Sequence, residues 1–138
     1  MKIIILTGLL IFSGMAFAQT KADDIVGIYW TAEKQGKIEI YQKGTTYFGK
    51  ILWRKEARKD IENPDRSLRS RSVVGIEFLR NFKFDGDDEW VSGEVYSIDN
   101  GGTYSGKMWL TDSGKTLKMR GYMGISLLGR TVTLTRAE

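Results

Sequence analysis

The run Asp99-Asn100-Gly101-Gly102-Thr103-Tyr104-Ser105-Gly106-Lys107-Met108-Trp109-Leu110-Thr111-Asp112-Ser113-Gly114 reads as turn, strand, turn. Within it Tyr104, Met108 and Leu110 fall on one side of a two-residue alternation and Ser105 and Lys107 on the other, as in a strand with one face in a core and the other in water. The flanking Asn-Gly-Gly and Asp-Ser-Gly clusters hold residues that turn a chain tightly, so they mark hairpins. Working outward, Gln35-Gly36, Lys43-Gly44 and Asp85-Gly86-Asp87-Asp88 repeat the punctuation and divide the chain into eight expected strands, near 25–32, 37–42, 45–53, 73–84, 89–98, 103–111, 116–123 and 127–136. Val74, Ile76, Phe78, Phe82 and Phe84 are expected to share the core face of the fourth. No run has a helical period. Sequential hairpins favour a closed barrel over a sandwich, which predicts an all-β, antiparallel, up-and-down eight-stranded barrel. Such a barrel fills with side chains or encloses one small ligand. Glycines inside the strands, among them Gly27, Gly49, Gly93, Gly106 and Gly129, suit the bends and close approaches that closure needs.

At 138 residues the chain is one domain's worth, and it contains neither His nor Cys. That excludes Ser-His-Asp and Cys-His catalysis, His- or Cys-ligated zinc, thiolate clusters and disulfides. No metal and no cofactor is expected, and the chain is read as a non-enzyme. The acidic run Asp85, Asp87, Asp88, Glu89 lacks the spacing of a twelve-residue calcium loop and reads as a hairpin tip. Asp60 and Asp65 are the carboxylates a hydrolase would use, which keeps a carboxylate-based hydrolase as the third reading.

Residues 1–18 combine a cationic start at Lys2, an apolar run from Ile3 to Phe12 and Ala16-Phe17-Ala18 before Gln19. They read as a secretory signal peptide cleaved after Ala18, leaving residues 19–138 as a single barrel domain in the periplasm or outside the cell, without a transmembrane anchor. The net charge of +4 is concentrated between Arg54 and Arg71, where Arg58, Lys59, Arg66 and Arg69 also lie. The connection 54–72 is longer than a hairpin loop, so it reads as a lid, a binding loop or the contact for an envelope protein partner. Within it, Asn63 is expected to cap a short turn that Pro64 begins.

Asn63-Pro64-Asp65, Leu68-Arg69-Ser70-Arg71, Gly75, Trp90, Gly93, Tyr96, Gly121-Tyr122, Gly124-Ile125-Ser126 and Gly129-Arg130-Thr131 form a pattern that resembles the domain of unknown function 2147 family of secreted bacterial proteins. The likeness spans the chain after Ala18, including Gly49-Lys50-Ile51 and Trp53, and that family supplies no activity to transfer. Gly27-Ile28-Tyr29-Trp30 near the start and Arg136 near the end resemble the lipocalin-like (calycin) barrels, in which an indole packs under a guanidinium and closes the base. The resemblance implies Trp30 and Arg136 as the closing pair, with Tyr29 the alternative inward residue. The last strand departs from the expected aromatic at Leu134.

Val132, Leu134 and Arg136 share a face with Leu128 and Arg130, which places two guanidiniums on an apolar stripe. Inward arginines bind a carboxylate through a two-pronged hydrogen bond or close the barrel. Glu94 is expected on one face with Trp90, Tyr96 and Ile98, within reach of those arginines. Arg130, Arg136, Arg69, Arg71, Glu94 and Tyr96 are therefore the expected ligand contacts. The aromatic residues Trp53, Trp90, Trp109, Tyr41, Tyr47 and Tyr104 are read as core and girdle, with no nucleic acid as partner. The leading expectation is an exported noncatalytic binding protein for a small amphipathic or anionic ligand of the bacterial envelope. The alternative is a ligand-free envelope interaction module.

Overall fold

The computed structural model describes Gly8, residues 19–124 and residues 129–138. Residues 1–7, 9–18 and 125–128 lie outside the described set, and with them most of the expected signal peptide and the Leu128 position. Eight strands follow one another: β1 Gly27–Trp30, β2 Gly36–Lys43, β3 Thr46–Arg54, β4 Glu77–Phe84, β5 Glu89–Tyr96, β6 Thr103–Thr111, β7 Thr116–Tyr122 and β8 Gly129–Arg136. Each pairs antiparallel with the next, and β1 pairs with β8 through Tyr29 opposite Arg136 and Trp30 opposite Thr135. The result is the closed up-and-down barrel that the hairpin spacing predicts.

The interior is apolar and much of the outer wall polar. Tyr29, Ile40, Tyr47, Leu79, Phe82, Trp90, Met108 and Leu117 are buried in one cluster, while Glu94, Ser105, Thr131 and Thr133 are exposed. No helix among the described residues is long and apolar enough to cross a membrane. Phe82 is accommodated because Gly93 of β5 has no side chain: a Cβ there would fall on the Phe82 ring. The inner face thus alternates large and absent side chains, which lets a narrow barrel fill one end.

The fourth strand is shorter than its pattern suggests. Residues 73–76 form a turn in which Ile76 N–H donates to Val73 O at 3.2 Å and Gly75 takes φ 95°. Val74 is consequently 44% exposed instead of lying on the core face, while Val73 and Ile76 are buried. Further along, Asn81 at φ 60° kinks the strand, so Leu79 and Phe82 both point inward. A second buried cluster, Ile51, Val73, Ile76 and Tyr96, sits beneath the long connection.

Candidate functional site

The two ends of the barrel differ. At one, the short turn Ala22–Ile25 plugs the opening. Trp90 Nε1–H donates to Ala22 O at 3.0 Å, Tyr47 O–H to Asp23 Oδ1 at 2.6 Å and Tyr29 O–H to Ile25 O at 2.7 Å. Arg136 completes the plug by donating from Nε to Gly114 O at 2.9 Å, from Nη1 to Val26 O at 3.0 Å and from Nη2 to Asp24 O at 2.6 Å. Its guanidinium lies 4.8 Å from the centre of the Tyr29 ring. Burial pushes the Tyr29 hydroxyl up to about 12, against the opposing influence of Arg136.

The closing pair is therefore Tyr29–Arg136, not Trp30–Arg136. Pairing of Tyr29 with Ile38 on β2 turns Tyr29 inward and leaves Trp30 on the outer wall, where its ring lies 6.1 Å edge-on from that of Trp53. Gly27-Ile28-Tyr29 preserves a Gly-x-aromatic spacing, with tyrosine as the aromatic. Gly27 is needed there, since at φ 151° a Cβ would stand 2.6 Å from Arg136 Nη1.

Among the described residues the other end is open. A cavity of about 560 Å³ is bordered by Phe78, Val95, Met119 and Val132 on its apolar side and by Tyr104 and Arg130 among its polar groups. Arg130 is the one cationic side chain bordering it; it is exposed and has no protein hydrogen-bond or ion-pair partner among the described residues. Asn100 Nδ2–H donates to the Tyr104 hydroxyl at 2.7 Å, which leaves the Tyr104 O–H available as a donor. A smaller cavity of about 160 Å³ shares Phe78, Tyr96 and Ile98 with the first and reaches the wall at Lys37, Trp53 and Arg54.

The long connection is fastened across this end. Asp60 is fully buried in it and accepts from Tyr96 O–H at 2.5 Å on Oδ1, and from Asn63 Nδ2–H at 2.8 Å and Arg71 Nε–H at 3.0 Å on Oδ2. Burial would raise the Asp60 carboxyl, but hydrogen bonds from Tyr96, Asn63 and Arg71 and the Arg71 charge outweigh it and hold the group below its ordinary value. Burial, and then the bond to Asp60, pushes the Tyr96 hydroxyl up to about 12. Arg58 bonds Asp99 Oδ1 at 2.9 Å and Ile98 O at 3.1 Å, tying the loop to the β5–β6 turn. Gly101 at φ 74° makes that contact feasible, because any side chain there would strike Glu62 O.

Of the expected contacts, Arg130 and Tyr96 border the main cavity, and the others do not. Arg136 stands at the opposite end, six residues along β8 from Arg130 and so about 20 Å away. Arg69 donates from Nε to Asn63 O at 2.7 Å and Arg71 is bound to Asp60, so both arginines hold the loop together. Glu94 points outward: Ser92 at φ 60° forms a bulge after Trp90, Gly93 takes the next inward place, and Glu94 faces Arg80 and Ser105 on the wall. Asp65, rather than Asn63, caps the Arg66–Leu68 turn, accepting from Ser67 N–H at 3.0 Å. With both oxygens of Asp60 occupied and Asp65 exposed as a cap, the two carboxylates are not a juxtaposed acid–base pair at the cavity. Asp85, Asp88 and Glu89 do cluster at their hairpin tip, where Asp85 Oδ1 accepts from the Asp87, Asp88 and Glu89 N–H groups. Those bonds hold the Asp85 carboxyl below its ordinary value.

Sequence reasoning placed Tyr104 and Phe78 on inner faces but read them as core. What distinguishes them is their end of the barrel: beside Trp90 the interior is filled, while beside Tyr96 it is not.

Residues 27–136 match the model of a family described as "Uncharacterized protein conserved in bacteria (DUF2147)". Among solved structures, Protein HP1028 from the human pathogen Helicobacter pylori, described as belonging to the lipocalin family, is similar with a TM-score of 0.74 and 24% identity over 83% of each chain. This likeness shows the fold, a lipocalin-like barrel. No curated protein matches the chain.

Proposed function

Since the chain belongs to the uncharacterised bacterial family DUF2147 and inherits no activity from it, its function has to be read from its own cavity, and we propose an exported, noncatalytic binding protein for a small amphipathic anion in the bacterial envelope. One observation carries this reading: among the described residues, a largely apolar, open-ended cavity is bordered by a single cation, Arg130, which has no protein partner there. Its volume of about 560 Å³ lies within the range of about 300–1,000 Å³ usual for small-molecule sites. An acyl or aryl body would take the place of water against Val95, Met119 and Val132, and a carboxylate or phosphate would pair with the Arg130 fork. The Tyr104 hydroxyl supplies a second donor at the same end. Export rests on the tripartite segment 1–18.

The test is a fluorescence titration with a long-chain fatty-acid probe and with its uncharged alcohol. The acid should bind more tightly. Arg130→Met should weaken the acid about 10- to 100-fold, the value of a charged hydrogen bond, and leave the alcohol unchanged. Equal affinity for the acid in both proteins would remove Arg130 from the site. Failure of both probes to bind would transfer the reading to a ligand-free interaction module.

A further inference from the structure

We infer that the outer wall of β1–β3 around Trp30 and Trp53 docks onto an anionic lipid surface. The register sets Trp30, Lys37 and Trp53 side by side across three strands, Trp30 opposite Lys37 and Lys37 opposite Trp53. Trp53 is 42% exposed, an uncommon place for an indole that has a core within reach. Lysines lie over the aromatic rings of this wall: Lys34 and Lys37 over Trp30 at 5.4 and 4.4 Å, Lys43 over Phe48 at 4.2 Å and Lys50 over Tyr41 at 5.3 Å. Other such contacts stand apart, at Lys107 over Trp109 and Arg136 over Tyr29, so most of the cations set over rings among the described residues gather on β1–β3 and the turn that joins β1 to β2.

The charges of that wall are not equally spent. Lys43 is paired with Glu77 at 2.9 Å, and Lys50 stands opposite Glu39 in the register. Lys34 and Lys37 form no ion pair among the described residues. The lysines without an ion pair therefore stand beside the half-buried Trp30 and the exposed Trp53. Indoles settle at the headgroup level of a bilayer, and lysines beside them are drawn to anionic headgroups. Glu94, Ser105, Thr131 and Thr133 are exposed on the other strands, so the barrel would lie on such a surface and not pass through it. The smaller cavity reaches the wall among Lys37, Trp53 and Arg54 and adjoins the main cavity at Phe78, Tyr96 and Ile98. This gives an amphipathic ligand a route from the docked surface to the barrel, the one step that rests on the proposed function.

The experiment is co-sedimentation of the protein with vesicles of phosphatidylcholine alone or with about 30 mol% phosphatidylglycerol, at low salt and at about 0.5 M salt. Binding to the anionic vesicles only, lost at high salt, is expected. Lys34→Gln with Lys37→Gln should lower partitioning at least about tenfold and Trp53→Ser severalfold, while Lys118→Gln on β7, outside the β1–β3 wall, leaves it unchanged. Lys34→Gln alone changes an exposed side chain and serves if the double variant fails to fold. Absence of vesicle binding, equal binding to neutral vesicles, an equal loss in Lys118→Gln, or capture by soluble dextran sulfate without capture by vesicles would each overturn the inference. Fatty-acid probe binding in vesicle-free buffer is measured on the same proteins: probe binding retained without vesicle binding removes the docking surface alone, and vesicle binding without probe binding removes the cavity reading alone.

Discussion

Replacing Tyr96 by Phe deletes one hydroxyl from the fastening of the long connection. In the wild type Asp60 Oδ1 accepts from Tyr96 only, while Asn63 and Arg71 both serve Oδ2. Tyr96→Phe therefore leaves half of a fully buried carboxylate without a donor, and the lost bond is one to a charged acceptor. The cost is about 2 kcal/mol, which for a domain of this size lowers the Tm by roughly 6–10 °C. Because the ring still fills the space between Ile51, Val73 and Ile76, no packing loss is added. Asp60 carries the pH dependence: its folded value is depressed, so its contribution is present above the unfolded value of about 3.9 and is lost as pH falls through the folded value. The gap between wild type and variant should accordingly narrow as the pH drops below about 4. Urea unfolding at pH 7 and pH 3, with amide exchange of residues 58–73, measures both effects. A variant within about 0.5 kcal/mol of wild type at pH 7, with unchanged exchange in the loop, would refute the reasoning.

Other consequences can be tested beside it. Arg136→Met strips donors from Gly114 O, Val26 O and Asp24 O and should cost about 2–4 kcal/mol in urea unfolding, with probe affinity at the far end preserved if the variant remains folded. Tyr29, Tyr47 and Tyr96 are all buried with hydroxyls pushed up to about 12. Their unfolded forms ionise near pH 10, so stability is whole below that and falls as pH rises from about 10 to 12; a flat stability profile over that window would contradict the burial of these hydroxyls. Phe78 lines both cavities, and Phe78→Ala should widen the space where they adjoin and admit longer acyl probes; an unchanged chain-length profile would show that Phe78 does not set the limit.

Strand number and order were legible because turn chemistry and alternation are local: Asn100-Gly101 and Ser113-Gly114 name hairpins wherever the rest of the chain lies. Arg130 and Arg136 on the inner face of β8 were legible for the same reason. Glu94 was not, since one residue at positive φ, Ser92, reverses every side chain after it and leaves no mark in a hydrophobic pattern. The choice between Tyr29 and Trp30 hung on register with β2, a nonlocal fact. Arg69 and Arg71 read as free cations because their partners, Asn63 O and Asp60, come to them only through the folding of the loop. Two barrel ends of opposite character were likewise invisible, because a filled end and an open end use the same apolar alternation.

The central claim is that the open end of the barrel holds an amphipathic anion. Its most direct test is to express the precursor for export, purify the protein gently and compare native with denaturing mass spectra. A reproducible added mass that disappears on denaturation, proves to be an acidic amphiphile and is lost in Arg130→Met is the expected result. A native mass equal to that of the polypeptide alone, with no uptake of fatty-acid probe afterwards, would contradict it.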